Sequence, residues 1–418
     1  YFFCFAWLAF LSATVRYSTQ MFQQNSYRNE RYNRWLKQSG EWDSRANLLA
    51  VVGAVVTLFT HHWAVLVLLG LWMMVIAVAE FSIEYKIKLA YTMRVKRLIV
   101  SAALLTIAAV AVAEIFAPQI AMPIALALLI LPIVMLTANL VNKPLEAAIS
   151  RWYYNDAKRI LRSMPQLTII GVTGSFGKTS TKHYLYRILS EKYNVLMTPG
   201  SYNTTMGVVR TVREMLRPSH EIFIAEMGAK NVGDIKEICD LVHPSYGIIT
   251  AIGEQHLETF GSVENIIATK FELADAIPQD GAAILNYDNE YIRSRGVTVP
   301  TVTYGGADSG AGYRYSDMAV TYHGCQFTLT APDGESCRYT THLLGGHNIQ
   351  NLAGCMALAH TLGIPLKEMV YPVRLLKPVE HRLQLLPNGY IDDAYNSNPA
   401  GFRSALDTLA AFSAQRIL

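Results

Sequence analysis

The stretch from Leu167 to Ser180 constrains the chain more than any other, because it specifies both a local fold and a ligand class. An apolar, β-prone run, LTIIGVT, breaks into glycines and continues as Gly-Lys-Thr at the start of a helical pattern. A buried strand, a turn of backbone N–H groups and a helix N-terminus together form a cradle for a polyphosphate. We expect Lys178 to meet the β- and γ-phosphates and the Thr179 hydroxyl to ligate Mg²⁺. The predicted nucleotide-binding residues of this loop are Gly174, Ser175, Phe176, Gly177, Lys178, Thr179 and Ser180.

The loop departs from the general P-loop spelling, since Val172 stands five positions before Gly177, where that motif has glycine. The strand before it and the helix after it favour a P-loop over a chance Gly-Lys-Thr. Downstream, β-prone runs alternate with helical ones, which predicts an α/β fold with a mostly parallel sheet. Residues 313–343 alternate apolar and polar side chains and indicate a small antiparallel addition. The β-prone runs lie at 221–226, 246–250, 282–286 and 300–304.

The first 140 residues have a different composition. Hydrophobic residues make up 51% of the chain and charged ones only 16%, and the apolar excess is concentrated there. The segment 98–138 is long enough for two membrane spans joined by a turn near Pro118. The segment 47–80, with His61-His62 at its centre, is either a hairpin of short spans or one long tilted helix. The apolar stretches lie at 1–15, 47–60, 63–79, 98–117 and 119–138.

Basic residues indicate how these stretches would be oriented. Six lie in 16–46 and five in 81–97, whereas the turns at 61–62 and 118–119 have no Lys or Arg. By the positive-inside rule, both basic segments face the cytoplasm and each apolar block between them is a hairpin. This predicts about five spans and a multi-pass membrane protein whose later residues are cytoplasmic. Residues 143–165 form an amphipathic stretch, predicted to be an interfacial helix or an ordinary linker.

The remaining composition excludes other classes. The formal net charge is only +4, without a basic stripe, so we expect no nucleic-acid partner. The five cysteines are scattered and form no CxxC pair, which is typical of reduced thiols and not of a disulfide framework or a zinc ribbon.

The ordered motifs from 166 onward resemble the Mur ligases, and within them the branch that adds D-alanyl-D-alanine to a muramoyl tripeptide. Seven motifs occur in the same order, and together they are far more specific than any one of them. They are GVTGSFGKTS at 171–180, AEMGAK at 225–230, GEQHLETFGSVENIIATKFEL at 253–273, LNYDNE at 285–290, GGHNIQNLAG at 345–354, KPVEHRLQ at 377–384 and DDAYNSNP at 392–399.

The resemblance implies ATP and Mg²⁺ as cofactors, and it implies roles for individual residues. Glu226 and His256 would lie at or beside the metal, with Thr179 as a further ligand. Lys270 matches the lysine that such ligases carry as a carbamate, an oxygen-bearing anion suited to Mg²⁺. The expected catalytic residues are Lys178, Glu226, His256 and Lys270. Asn286 and Asn351 would contact the adenine side, and Arg382 and Asp393 the ribose and phosphates; Asp392 is expected to be structural.

Two features depart from the family pattern, and both concern substrate recognition. Membrane segments occupy the place of the domain that holds the UDP part of the substrate. In SYNTTMG, at 201–207, Thr204 replaces a usual asparagine. We therefore expect a muramoyl-peptide substrate that could be lipid-linked. The expected domains are a transmembrane region over 1–142, a linker helix over 143–165, an ATP-binding domain over 166–379 and, over 380–418, the beginning of a Rossmann-like C-terminal ligase domain.

The expected reaction is ATP-dependent amide formation through an acyl phosphate, with D-Ala-D-Ala or a similar amine, in bacterial cell-wall precursor synthesis. A poly-γ-glutamate-synthase-like ligase also pairs membrane attachment with a Mur-like ATP domain. From other classes, the alternatives are a P-loop membrane transport ATPase and a catalytically silent scaffold that only binds nucleotide. Dependence of phosphate release on an amine and a carboxylate distinguishes the ligase from the transporter.

Overall fold

The structure is a computed structural model that describes residues 2–40, 45–59, 62–85, 88–116, 118, 132–255, 257–321, 324–387, 389–395 and 399–410. The chain divides into two compact units, residues 1–151 and residues 152–418. The boundary falls inside a helix, at a position nine residues later than the predicted end of the transmembrane region.

Unit 1 is helical in its described part. A well-packed contact joins α1 and α4, where Phe10 and Met73 are fully buried. Gly70 of α4 allows close approach, since a Cβ there would lie 2.9 Å from the ring of Phe2. The helices are α1 (Phe2–Gln24), α2 (Asn29–Gln38), α3 (Arg45–Phe59), α4 (Trp63–Ser82), α5 (Met93–Phe116) and α6 (Ile133–Arg162), which continues into unit 2.

Two of these helices, α4 and α5, are long and apolar enough to cross a membrane, judged by length and composition over the described residues. Only 22% of the most apolar window of each is buried within the protein. Large apolar side chains on both helices are therefore exposed, among them Leu68, Val75 and Ile107. The segment 47–80 forms two helices, as the hairpin alternative predicted, and not one long helix.

The predicted linker over 143–165 is not a separate helix. It is the C-terminal part of α6, which begins at Ile133 and passes through Pro144. The basic segment 16–46, expected to be a loop, is mostly helical, since α1 continues to Gln24 and α2 follows. Most of the last predicted span, 119–131, lies outside the described residues.

Unit 2 is built on a nine-stranded sheet with the order β2-β3-β1-β4-β5-β6-β7-β8-β9. The pairs from β2 to β7 are parallel, and β7-β8 and β8-β9 are antiparallel. The strands are β1 (Thr168–Thr173), β2 (Val195–Met197), β3 (Ile222–Glu226), β4 (Tyr246–Ile249), β5 (Ala282–Asn286), β6 (Thr301–Gly306), β7 (Tyr313–Thr321), β8 (Gly324–Thr330) and β9 (Ser336–Thr341).

Helices cover both faces of this sheet and bury two apolar clusters. One cluster includes Tyr184, Ile188 and Met356, and the other includes Val209, Ile238 and Phe271. Central strands such as β3 and β5 are buried at every residue, as expected for a covered parallel sheet. The helices are α7 (Lys178–Leu189), α8 (Thr205–Met215), α9 (Asp234–Val242), α10 (Leu257–Phe260), α11 (Val263–Asp275), α12 (Glu290–Arg293), α13 (Gly346–Thr361), a 3₁₀ turn (Leu366–Met369) and α14 (Val370–Arg374).

The predicted strands and the predicted mixture of a parallel sheet with an antiparallel addition are confirmed. The addition is not a separate layer, because β7 to β9 continue the same sheet. The three-residue strand β2 was not predicted, since so short a run has no readable alternation. After residue 380 the chain forms a small hairpin, β10 (Gln384–Leu385) with β11 (Ile391–Asp392), and then α15 (Pro399–Ala410).

Candidate nucleotide site at the carboxyl end of the parallel sheet

The loop between β1 and α7 can adopt its path only with glycine at two positions. Gly174 has φ +150°, and a Cβ there would lie 2.1 Å from Thr250 Oγ1. Gly177, with φ +80°, is the residue before α7, and a Cβ there would lie 2.6 Å from Asn351 Oδ1. Glycine tolerates this left-handed backbone and the close approach of neighbouring groups. The segment that follows β4 and the helix α13 therefore pack closely against the loop.

Hydrogen bonds from the segment after β4 hold this loop in place. The backbone N–H of Ser175 donates to the Ala251 carbonyl (2.6 Å), and the Ser175 hydroxyl donates to the Gly253 carbonyl (3.0 Å). The Thr250 hydroxyl lies within hydrogen-bond distance of the Thr173 carbonyl at 3.1 Å. The partly buried ring of Phe176 packs against Gly253, where a Cβ would come within 2.7 Å of it. A fixed loop is what a preorganised phosphate cradle requires.

Lys178 is the first residue of α7, and its side chain extends back over the loop. Its Nζ donates to the Gly174 carbonyl (2.8 Å) and to the Ser175 carbonyl (3.2 Å). Burial of the ammonium group lowers the pKa of Lys178 to about 8, although the charge of Glu226 opposes that shift. A desolvated cation beside carbonyl oxygens gains strongly from an anionic phosphate, which would replace these weaker partners.

Thr179 and Glu226, both predicted to be metal ligands, lie in contact beside the loop. The Thr179 hydroxyl donates to Glu226 Oε1 at 3.2 Å, and Asn203 Nδ2 donates to the same oxygen at 3.2 Å. Glu226 is the last residue of β3 and only 1% exposed. The parallel pairing of β1 with β3 places Val172 opposite Glu226, so the carboxylate reaches the start of α7.

Lys182 belongs to this arrangement and was not among the predicted residues. Its Nζ lies 2.9 Å from Glu226 Oε2 and donates to the Gly200 carbonyl at 2.7 Å. Both side chains of the ion pair are essentially inaccessible, 0% and 1% exposed. Lys182 follows Lys178 by one helical turn, and this spacing on one face of α7 was the available sequence signal. Removing one partner of such a pair leaves an uncompensated buried charge.

Lys270, on α11, is a second buried cation near the loop. It is 3% exposed, and burial together with the charge of Lys178 lowers the pKa of Lys270 to about 7. Burial therefore favours the uncharged form of this amine. Only the uncharged amine can react with CO₂, so the environment suits the carbamate that the resemblance implies.

The residues present fit Mg²⁺. A hydroxyl and a carboxylate oxygen, from Thr179 and Glu226, are 3.2 Å apart at a helix N-terminus, and oxygen is the ligand atom that Mg²⁺ takes. Mg²⁺ usually has only one or two such protein ligands together with phosphate oxygens and water. Within the part of the chain that the structure describes, no three His, Cys, Asp or Glu side chains group as a metal site. The predicted ligand His256 lies outside the described residues.

The two predicted adenine-side asparagines are both buried but make different contacts. Asn286, at the end of β5, donates from Nδ2 to the Thr250 carbonyl (2.6 Å) and accepts from the Asp288 N–H (3.1 Å). These bonds tie β5 to the segment after β4. Asn351, on α13, lies directly against Gly177. Asn351 thus borders the phosphate loop, and its role at the adenine side stays a prediction.

The segment after residue 380 brings one more cation to the loop. Arg382 Nη2 donates to the Thr179 hydroxyl at 3.4 Å, and its guanidinium lies 4.3 Å from the ring centroid of Tyr395. Asp393 accepts from the Leu383 N–H at 3.1 Å. Asp392 pairs with His381 at 2.7 Å, a local contact in keeping with its predicted structural role. Of the two residues predicted to contact ribose and phosphate, Arg382 touches the P-loop helix.

Thr204, the departure from the family pattern, caps α8. Its hydroxyl accepts from the Gly207 N–H at 3.3 Å. Threonine is an effective residue at this position because its oxygen satisfies an unpaired amide of the first turn. The neighbouring Asn203 is the one that reaches Glu226.

These features define a P-loop α/β domain with a cation-rich site at the carboxyl ends of β1, β3 and β4, where open parallel sheets bind ligands. Three basic side chains lie at this site: Lys182 pairs with the buried Glu226, Lys178 is electrostatically coupled to it, and Arg382 contacts Thr179. A site with this excess of positive charge is suited to a polyphosphate anion.

Comparison with known proteins shows what this domain resembles. Residues 172–359, within unit 2 and its mostly parallel sheet, match the Mur ligase middle domain. The chain is 30% identical over 295 residues to the UDP-N-acetylmuramoyl-tripeptide–D-alanyl-D-alanine ligase of Escherichia coli (strain K12). That match covers 67% of this chain and 65% of the relative.

Solved structures give the same result. MurF from Acinetobacter baumannii matches with a TM-score of 0.58 and 30% identity, over 62% of this chain and 57% of that one. MurF ligase from Thermotoga maritima, in complex with ADP, matches with a TM-score of 0.56 and 27% identity, over 62% and 61%. The chain thus spans less than two thirds of the length of each of these relatives.

Proposed function

We propose that this protein is an ATP-dependent amide ligase of the Mur type, which activates a carboxylate as an acyl phosphate and joins it to an amine. The observation that carries the proposal is the cluster of Thr179, Glu226 and Lys182 against the P-loop. A nucleotide-binding domain that only binds has no need of a buried metal-ligand carboxylate held by a buried lysine. A phosphoryl-transfer site uses such a carboxylate, because the Mg²⁺ it holds neutralises the charge that develops between the β- and γ-phosphates.

The proposed chemistry assigns a task to each side chain. A substrate carboxylate oxygen attacks the γ-phosphorus of ATP, the bond to the β-phosphate oxygen breaks, and ADP leaves. The amine nitrogen then attacks the acyl carbon, inorganic phosphate leaves, and the nitrogen loses a proton. Lys178 and Arg382 stabilise charge on the transferred group, while Lys182 holds the Glu226 carboxylate in place. Mg²⁺, held by Thr179 and Glu226, would neutralise phosphate charge.

The proposed substrates are a muramoyl peptide and D-Ala-D-Ala or a similar amine, in cell-wall precursor synthesis. The support is the name of the Escherichia coli relative, a ligase of UDP-N-acetylmuramoyl-tripeptide and D-alanyl-D-alanine. Lys270 supports the same reading, because burial lowers its pKa to about 7 and prepares it for the carbamate found in such ligases.

We further propose that unit 1 anchors the ligase in the membrane with about five spans and with unit 2 in the cytoplasm. The helices α4 and α5 support this, since they expose large apolar side chains that water would solvate poorly. The basic segments 16–46 and 81–97 support a cytoplasmic position for the helix ends that border them. The carboxylate carrier in such a protein would be a lipid-linked muramoyl peptide at the membrane surface.

The test supplies the full-length protein in membrane vesicles with ATP, Mg²⁺, a muramoyl tripeptide and D-Ala-D-Ala, and measures released phosphate and product mass. We expect phosphate release to require both the acid and the amine. Release without either would identify a transport-type ATPase, and incorporation of glutamate as the amine would favour a poly-γ-glutamate-type ligase. Absence of release with every acid and amine pair would support a silent scaffold.

A second arm compares the same tripeptide on a UDP carrier and on a polyprenyl carrier. We expect faster product formation from the lipid-linked form. A clear preference for the UDP form would leave a ligase of the ordinary type that is merely attached to the membrane.

A further inference from the structure

A groove in unit 1 has no part in the proposed reaction. It lies between α1, α5 and α6 and encloses about 220 Å³. This is smaller than the roughly 300–1,000 Å³ of typical small-molecule pockets, so it would take part of a chain and not a whole ligand. Its lining is predominantly apolar and includes Leu11, Val15, Ile99, Ala103, Thr106 and Met135.

Hydrogen-bonded polar side chains of α5 and α6 lie close in sequence to the groove but outside its lining. One helical turn beyond Met135, Asn139 Nδ2 donates to Asn29 Oδ1 at 2.7 Å. One turn further, the Ser101 hydroxyl donates to Asn142 Oδ1 at 2.9 Å. Asn142 is 7% exposed, and its buried Nδ2 has no hydrogen-bond partner within the described residues. On α6, hydrogen-bonding side chains therefore follow the apolar lining residues within two turns.

Two arginines follow this polar layer, and they are not equivalent. Arg97 is neutralised, since its Nε lies 2.7 Å from Glu146 Oε1. Arg94 is 3.9 Å from the same carboxylate, and its guanidinium lies 4.1 Å from the ring centroid of Tyr27. Its Nε is buried and has no hydrogen-bond partner among the residues described. One carboxylate for two guanidinium groups leaves a net positive charge, and Arg94 is the more weakly paired of the two.

We propose that this groove and Arg94 form a binding site for one anionic lipid, with its phosphate at Arg94 and an acyl or prenyl chain along α1, α5 and α6. The apolar lining favours the lipid chain, and the weakly paired Arg94 guanidinium favours the negative headgroup. The inference rests on the membrane attachment proposed above but not on the ligase reaction.

The dimensions agree with a lipid of the cytoplasmic leaflet. With a helical rise of about 1.5 Å per residue, Ile99 and Thr106 lie roughly 8 Å and 18 Å along α5 from Arg94. Half of a bilayer core is about 15 Å thick, so the distance from Arg94 to the far end of the groove at Thr106 is close to the depth of one leaflet. The positive-inside orientation independently places the Arg94 end of α5 at the cytoplasmic surface.

The test is native mass spectrometry of the full-length protein, delipidated in detergent and titrated with phosphatidylglycerol or phosphatidylcholine of identical chains. We expect one phosphatidylglycerol to be retained about fivefold more tightly, in line with one basic side chain at a charged surface. Arg94→Gln should abolish the preference while chain binding remains. Ala103→Phe should fill the groove and reduce retention of both lipids.

Matched controls separate this site from general effects. Leu104→Phe adds the same ring beside Ala103 on an exposed position outside the groove and should retain lipid as the wild type does. Lys178→Ala should also bind lipid normally, so a failed ligase assignment leaves this result intact. Millimolar inorganic phosphate should not displace the lipid; if it does, the site is one for free phosphate.

Equal retention of the two lipids by the wild type would overturn the proposal, as would wild-type preference in Arg94→Gln. Circular dichroism and gel filtration identify any variant that fails to fold. Because Arg94 is partly exposed, its glutamine variant keeps the test decisive even if Ala103→Phe is unstable.

Discussion

The two units distribute charged and apolar side chains in opposite ways. Among the described residues of unit 1, the buried polar side chains are all uncharged, while large apolar ones such as Leu68 and Val75 are exposed. Unit 2 buries Lys182, Glu226 and Lys270 and exposes few large apolar residues by comparison. Apolar surface is stable where the surrounding medium is itself apolar, and buried charge persists where partners and ligands compensate it. The contrast supports the proposal that unit 1 works in lipid and unit 2 in water.

The largest expected effect tests whether the charges of unit 2 serve phosphoryl transfer. Lys178→Ala should reduce acid- and amine-dependent phosphate release about a thousandfold, as for loss of one preorganised donor to a developing charge. The measurement is initial phosphate release at saturating ATP. Lys236→Ala, which removes an exposed lysine paired with Asp240, is the control and should retain full activity. Comparable rates in the two variants would mean that the P-loop cluster is structural.

The next prediction concerns the buried ion pair itself. Lys182→Met should lower the free energy of unfolding by about 3 kcal/mol, because Glu226 is left buried without its cation. Chemical denaturation, followed by the fluorescence of unit 2, measures this free energy of unfolding. The double variant Lys182→Met/Glu226→Gln should lose clearly less than the sum of the single variants, since the two residues interact directly. Strict additivity would show that the pair contributes no mutual stabilisation.

A substitution on unit 1 tests the other half of the contrast. Val75→Lys places a charge at the middle of α4 on a side chain that is 67% exposed. In water this change would be nearly neutral, whereas at the centre of a bilayer it should cost about 2.5–3 kcal/mol of insertion. The fraction of the protein that stays in the membrane after carbonate extraction measures this loss of insertion. Met215→Lys, at an exposed apolar position of unit 2, should leave the fraction unchanged. Unaltered extraction of both variants would contradict a spanning α4.

The strand, turn and helix of the P-loop could be predicted because they are local: the apolar run, the glycines and Gly-Lys-Thr are contiguous. Glu226 was predicted through a motif at a strand end. The pairing of Glu226 with Lys182 could not be predicted. This pairing depends on β3 lying beside β1, which brings together residues 44 positions apart. For the same reason, the sequence did not reveal that Glu146 neutralises Arg97. Local patterns predict elements, and the order of strands and helices decides which charges meet.

The passage of α6 through Pro144 shows a second limit. Proline in a helix interior removes a hydrogen bond and commonly ends the helix, so a boundary near 142 was a reasonable expectation. In the structure the helix is 30 residues long and continues past Pro144 to Arg162. Asn142 and Glu146, on either side of the proline, both form hydrogen bonds with α5. Tertiary contacts on both sides of the proline therefore outweigh its local cost.

The buried cations of unit 2 also predict a pH dependence. Burial lowers the pKa of Lys270 to about 7 in the folded state, below its ordinary 10.5. Between these values the unfolded chain binds more protons, so the free energy of unfolding should rise with pH. The limit is about 1.4 kcal/mol per pH unit for one proton. Denaturation in CO₂-free buffers from pH 7 to 9 measures the rise, and Lys270→Met should reduce it. An equal slope in that variant would show that Lys270 does not cause it.

The smallest effect concerns Thr204, where the chain differs from the family pattern. The Thr204 hydroxyl accepts from the Gly207 N–H at the start of α8, so Thr204→Val keeps the side-chain shape and removes only the acceptor. We expect a loss of about 1 kcal/mol in the free energy of unfolding, the usual value of such a cap. Thr204→Asn should retain stability, because asparagine caps at least as well. If that variant lost as much as Thr204→Val, the threonine would be required by its packing. If neither lost stability but both slowed product formation, the residue would act on the substrate, and the departure from the family would be one of specificity.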